Sequence, residues 1–278
     1  MSHAPVFLDR PGGRIAFERI GSGPAIVCVP GIGDVRSSYR LLAPLLVSAG
    51  YTVYLMDLRG HGDSDATFAS YTTEDIGDDI VALLEFEGLT DSTLAGCSIG
   101  GGAIAWAAAS APDRVGRLVM LNPFVRDLPG SGLMRALIPV MFAWPWGLWM
   151  WLTYRARLFV TPPTDHAQAT SELRTNLKQT GRMRSVRGMM TASKIKVEER
   201  LGEVKAHTLV IMGADDIDYP DPRAEGETVL DRIAGTGRVE VIDQSGHYPQ
   251  TEHPQQVADL MIGFLKSNDG VGSSTDAS

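Results

Sequence analysis

The stretch Leu94-Ala95-Gly96-Cys97-Ser98-Ile99-Gly100-Gly101-Gly102 decides how this chain is read. Before it, Ser92–Ala95 is a short apolar run of strand type. After it, Ile99–Ala111 is an alanine-rich run of helix length. Gly96-Cys97-Ser98-Ile99-Gly100 is therefore a G-x-S-x-G pattern placed between a strand and a helix. The spacing has a steric cause. A serine raised on so sharp a bend has strained dihedrals, and its neighbours two positions away must lack side chains for the two elements to approach. The helix start adds a positive dipole end and free amides, notably that of Ile99. Cys97 precedes Ser98 and points elsewhere, so it reads as packing.

Working outward, Arg14–Ile20 and Ala25–Val29 read as strands across a Gly21-Ser22-Gly23-Pro24 turn. Tyr39–Ala49 reads as a helix ended by Gly50, and Tyr51–Met56 as a buried strand. Thr73–Glu87 is helical, with Thr73 as its N-cap. Val115–Leu121, Thr208–Met212 and Val239–Ile242 are further strands, and Pro254–Lys266 closes the chain as a helix. Strand and helix in alternation imply right-handed crossovers and a mainly parallel sheet, an α/β fold with helices on both faces. The site of such a sheet lies beyond the carboxyl ends of its strands.

Residues 124–200 interrupt the alternation and read as a helical cap, leaving 1–123 and 201–267 as the core and 268–278 as a disordered tail. Ala136–Tyr154 lacks Asp, Glu, Lys, Arg and His and holds Trp144, Trp146, Trp149 and Trp151. Its length suits a membrane span, but Pro139, Pro145 and Gly147 interrupt it, and a span there would split the sheet. A lid whose four tryptophans contact an apolar substrate is the expectation. Arg174–Lys205 carries nine basic residues against three acidic ones. That suits a solvated face and allows weak contact between the cap and an anionic membrane surface.

A serine hydroxyl needs a base. Of the six histidines, His3 is in the leading tail and His207 lies at the amino side of a strand. His61 sits in a polar turn, His253 starts the last helix, and His166 falls in the insert, where position does not decide. His247, in Gln244-Ser245-Gly246-His247-Tyr248-Pro249, directly follows the last strand and is the expected base. The base needs an acid, and Asp215, Asp216 and Asp218 all follow the strand Thr208–Met212.

These segments, with Asp57-Leu58-Arg59-Gly60-His61-Gly62-Asp63-Ser64 and Glu252-His253-Pro254, resemble the α/β-hydrolase family in its lidded esterase and epoxide-hydrolase-like branch. The resemblance spans about Arg10 to Lys266 and is poor across the insert. It implies Asp216, three residues after Gly213, as the acid of a Ser98–His247–Asp216 triad. It implies the Ile32 amide in Pro30-Gly31-Ile32-Gly33-Asp34 as a second oxyanion donor beside Ile99. Proline stands there where the family usually has histidine, and Asp34 adds a nearby negative charge.

The composition is that of a globular chain, 44% apolar and 21% charged, with net charge −8. Nothing in it points to nucleic acid. Two cysteines make no disulfide framework and no secretory signal opens the chain, so a cytoplasmic protein is expected. Neither a metal-ligand cluster nor a phosphate-binding loop is legible, so no metal and no cofactor is expected. The expected activity is hydrolysis of an apolar ester, thioester or lactone. Perhydrolysis or carbon–carbon cleavage on the same triad is the alternative, as is a small-ligand receptor on this scaffold. A nucleophilic serine speaks against epoxide hydrolase and dehalogenase chemistry, which use aspartate.

Overall fold

Alternate residues of each central strand serve opposite faces of one sheet. Val27, Val29, Leu94, Met120 and Val210 pack into one core, whereas Ile26, Cys28, Ala95, Val119 and Ile211 pack into the other. This period of two, apolar on both sides, is what a parallel sheet covered by helices requires. The computed structural model describes residues 4–127 and 131–267, so the tail expected at 268–278 lies outside the described residues.

The strands are β1 (Val6–Arg10), β2 (Gly13–Gly21), β3 (Ala25–Val29), β4 (Thr52–Met56), β5 (Ser92–Cys97), β6 (Val115–Leu121), β7 (His207–Gly213) and β8 (Gly237–Ile242). They form one sheet of order β1-β2-β4-β3-β5-β6-β7-β8. β1 pairs with β2, and β2 with β4, antiparallel at one edge, and the other five pairs are parallel. Among the helices, α1 (Ala43–Ser48) covers one face, and α2 (Thr73–Phe86) and α3 (Ile99–Ser110) cover the other. Between β6 and β7 come α4 (Ser131–Met141), α5 (Gly147–Arg157), α6 (His166–Leu177), α7 (Arg182–Thr191) and α8 (Ile195–Arg200). α4 packs on α7 and α6 on both α5 and α7, whereas α8 lies against α2 and α3. Then α9 (Pro222–Asp231) packs on β7 and β8, and α10 (Pro249–Glu252) leads into α11 (Pro254–Lys266) beside α1.

Two local expectations are corrected. The helix foreseen at Tyr39–Ala49 is broken into a tight turn at Arg36–Tyr39 and α1, which starts at Ala43 with Pro44 in its first turn. The missing N–H of Pro44 is tolerated only there. Thr73 is the first residue of α2, and Thr72 is its cap. The Thr72 hydroxyl accepts from the Asp75 amide, and the Asp75 carboxylate accepts from the Thr72 amide, a capping box.

Candidate active site

Ser98 ends β5 and opens α3 with φ 57° and ψ −122°, a conformation few side-chain-bearing residues adopt. Its surroundings impose it. The Ser98 amide donates to the Leu121 carbonyl, and the Ser98 carbonyl accepts from the amides of Gly101 and Phe124. A Cβ on Gly96 would lie 2.3 Å from the Gly100 carbonyl oxygen, and one on Gly100 would lie 2.5 Å from that of Val29. The two glycines of the pattern are thus the contact between strand and helix.

His247 follows β8 on a loop held from three sides. Its amide donates to the Leu158 carbonyl at the end of α5, and Asn122 Nδ2 donates to the Gly246 carbonyl. Glu252 accepts from the amides of Gly246, Val160 and Thr161. A side chain at Gly246 would strike the Leu158 carbonyl at 2.2 Å. The ring is buried, with Nδ1 2.6 Å from Asp216 Oδ2 and 3.6 Å from Asp218 Oδ2. Asp215 is exposed. Burial alone would depress the His247 pKa. The charge of Asp216, its hydrogen bond, and the charges of Asp218 and Glu252 outweigh burial and raise it above the ordinary imidazole value.

Ser98, His247 and Asp218 line one cavity of about 60 Å³, with Ile32, Phe124, Trp151, Tyr154, Leu158, Met190 and Tyr248. No hydrogen bond joins Ser98 to His247 in this resting arrangement; such catalytic contacts are commonly long in unliganded sites. Among the described residues, no protein acceptor takes the N–H of Ile32 or Ile99. Both residues are buried, so two donors are left open beside Ser98. Larger hollows lie elsewhere, on the outer surface; the small one holds the chemistry-bearing groups.

The tryptophan expectation is corrected. Trp151 is buried and lines the cavity, but Trp144, Trp146 and Trp149 are exposed and face outward. On α5 the turn of 100° per residue directs Trp151, Arg155 and Leu158 inward and Trp149 to the opposite side. Trp144 and Trp146 precede the helix. The Trp151 Nε1–H has no partner. It lies against Gly33, where an added Cβ would stand 2.5 Å from it, so a donor faces the loop beside Ile32.

Sequence reasoning missed the partner of Asp34. The buried guanidinium of Arg155 pairs with Asp34 at 3.2 Å and stacks over Phe159 and Tyr248. The negative charge beside Ile32 is thereby matched from α5. Tyr154 donates to Asp218 Oδ1 at 2.5 Å. These partners stand 121 and 64 positions apart, so no local pattern announced them. Asp216, Asp218 and His247 also form the one group of ligand-type side chains close enough to hold a cation among the described residues. Of these groups, Asp216 Oδ2 already meets His247 Nδ1 and Asp218 Oδ1 already accepts from Tyr154.

His61 is buried as a loop strut. Its Nδ1 lies 3.0 Å from the Arg59 carbonyl, and its Nε2 accepts from the Gly33 amide. Burial lowers its pKa to about 4. The unfolded chain therefore takes up a proton near the ordinary value of 6.5 that the folded one refuses. Its contribution to stability is complete above that value and is lost as pH falls toward 4. Denaturant unfolding at pH 7 and pH 4.5 is expected to show a smaller loss on acidification for His61→Gln than for the parent chain. An equal loss in both would assign the acid sensitivity elsewhere. His166 stacks edge-on against Phe159 and His253 Nε2 meets the Gln244 carbonyl, both away from Ser98. Cys97 belongs to the core on the far face, where burial pushes its thiol pKa up.

A model of the alpha/beta hydrolase family matches residues 26–260. The chain belongs to that family. The 2-hydroxy-6-oxo-6-phenylhexa-2,4-dienoate hydrolase of Comamonas testosteroni is 27% identical to this alpha/beta hydrolase over 270 residues, 91% of each chain. The bifunctional epoxide hydrolase 2 of Sus scrofa is 32% identical over 140 residues, which are 49% of this chain and only a quarter (25%) of that protein. Among solved structures, a hydrolase from Pseudomonas aeruginosa PA01 superposes with TM-score 0.78 at 26% identity, covering 95% of this chain and 98% of the other. An esterase from Thermogutta terrifontis has TM-score 0.80 at 23% identity over 95% and 98% of the two chains, a likeness of fold.

Proposed function

We propose that this chain is a serine hydrolase that cleaves a neutral, apolar carboxylic ester, thioester or lactone through an acyl-enzyme on Ser98. The observation that carries the reading is the 2.6 Å contact between Asp216 and His247 Nδ1, with His247 and Ser98 on the wall of one cavity. In this mechanism Nε2 of His247 takes the Ser98 proton as Oγ bonds to the substrate carbonyl carbon. The Ile32 and Ile99 amides donate to the oxyanion. His247 then protonates the leaving alcohol, thiol or ring oxygen as the carbonyl re-forms. A water, deprotonated by His247, releases the acid and restores Ser98.

The substrate class follows from what faces the cavity. Its walls are mostly apolar and aromatic, and among the described residues no Lys or Arg lines it. Arg155, a buried cation on α5, is occupied by Asp34. An uncompensated carboxylate on the substrate would cost several kcal/mol to bury. The relatives aligned over nine-tenths of the chain favour a second reading, carbon–carbon bond hydrolysis on the same residues. Their named substrates are carboxylates, for which no Lys or Arg lines this cavity among the described residues.

The test compares p-nitrophenyl butyrate with p-nitrophenyl hemisuccinate, nearly equal in length but different in charge. The neutral ester is expected to have a kcat/KM about 100-fold higher or more. Equal rates for the two, or faster turnover of a 2-hydroxy-6-oxo-dienoate than of any neutral ester, would overturn this substrate class.

A further inference from the structure

We propose that the outer side of α4 and α5 docks onto a lipid bilayer carrying anionic headgroups, with its tryptophans in the interfacial layer. Leu133, Leu137 and Val140 stand at positions i, i+4 and i+7 of α4 and form one stripe, with Leu133 74% and Val140 67% exposed. The opposite side of α4 is the one that packs inward, through Ile138 and Phe142. Trp146 Nε1 donates to the Val140 carbonyl at 3.1 Å, which joins the end of this stripe to the start of α5. Trp149 lies three residues beyond Trp146, 64% exposed, and Trp144 between the helices is 88% exposed. Six large apolar side chains on one turn-linked helix pair far exceed the scattered exposure that a surface normally shows.

Charge selects the occupant. A groove of about 400 Å³ runs beside this face, with Trp144, Pro145 and Leu148 on one side and Lys178, Arg184 and Arg187 on the other. None of the three cations is ion-paired among the described residues; Arg187 only donates to the Phe142 carbonyl. The chain as a whole carries −8, so this edge is cationic against the sign of the molecule. A second copy meeting it two-fold would set these cations against themselves. Anionic headgroups complement them, while indoles and leucines enter the acyl boundary, the division of labour of an interfacial helix. No helix among the described residues is long and apolar enough to cross a membrane, so α4 and α5 would lie along the surface. Trp149 faces out and Trp151 faces the cavity from the same helix, two residues apart. The proposal is independent of the reaction assigned to Ser98.

The experiment is flotation of the purified full chain with vesicles of phosphatidylcholine alone and with about one-third phosphatidylglycerol, a composition near the anionic surfaces that attract basic segments. Tryptophan quenching by acyl-brominated lipid is read in parallel. Binding is expected to require phosphatidylglycerol and to weaken at high salt. Trp144→Ser and Trp149→Ser should each lower partitioning about tenfold, from loss of about 60 Å² of inserted indole. Lys178→Glu and Arg184→Glu should each lower it at least about fivefold. Far-UV circular dichroism and melting temperature monitor folding of each variant. No flotation with either vesicle, equal binding to both, or binding that survives the tryptophan substitutions in folded protein would overturn the proposal. So would a dimer in sedimentation equilibrium that the same substitutions dissociate, since a second copy would then be the occupant.

Discussion

Ser98→Ala is expected to abolish turnover of p-nitrophenyl butyrate, a loss on the order of 10⁶ in kcat where a triad acts as a unit, in a chain that melts as the parent does. The substitution removes only Oγ, which makes no protein hydrogen bond, so no buried partner is left unpaired. The backbone anchors on either side, Leu121 and Phe124, are main-chain groups and survive. Ser98→Gly separates chemistry from strain further. At φ 57° and ψ −122° a side chain costs about 1–3 kcal/mol, and glycine returns about 0.5–1 kcal/mol of that as backbone entropy. The glycine variant should therefore be equally inactive and melt a few degrees higher, at about 2–4 °C per kcal/mol for a chain of this size. Covalent labelling by a fluorophosphonate should vanish in both. Cys97→Ala should still label and turn over, because the thiol is buried in the core on the other face of the sheet and does not line the cavity; it makes only a weak 3.6 Å hydrogen bond to the His247 carbonyl. Parent-like rates in Ser98→Ala would remove the serine from the mechanism.

The parts of the fold that could be read in advance are those whose causes are local. Ala25–Val29, Val115–Leu121 and Pro254–Lys266 have the bounds their apolar runs and prolines suggest. β1 was not legible because it is a five-residue edge strand with one buried residue, specified by pairing with β2. α9 was missed because few of its residues are apolar, and it buries Glu225 against Arg126. At the site, Ser98 and His247 were visible as residues at strand ends, and spacing left three aspartates open. The pairing that distinguishes them arises where the β7 and β8 loops meet in space, held by Asn122. The directions of Trp149 and Trp151 depended on how α5 rolls against the core, which hydropathy does not encode. The Arg155–Asp34 pair joins distant segments and had no signal in either one.

Asp216→Asn should lower kcat about 10⁴-fold, because an amide facing Nδ1 can donate as well as accept and no longer enforces the tautomer that leaves Nε2 free. It also removes the charge that stabilises the imidazolium formed when Ser98 is deprotonated. Asp218→Asn tests a different quantity. Its carboxylate stands 3.6 Å from Nδ1, beyond hydrogen-bonding distance, and accepts from Tyr154, a role the asparagine oxygen can keep. What it supplies to His247 is charge. The base acts when neutral, so kcat/KM rises with pH through the His247 pKa, which lies above the ordinary imidazole value. Removing one nearby negative charge lowers that pKa and moves the acid limb to lower pH, so Asp218→Asn should be relatively more active near pH 6 than near pH 8, compared with the parent. Its plateau rate should stay within about tenfold, as expected for a charge in a polarisable setting. Asp215→Asn, exposed to solvent, should change neither. A 10⁴-fold loss in Asp218→Asn with a mild effect in Asp216→Asn would transfer the acid's role. An unmoved acid limb in Asp218→Asn would mean that the second carboxylate serves Tyr154 and the fold, and that Asp216 and Glu252 set the basicity of His247.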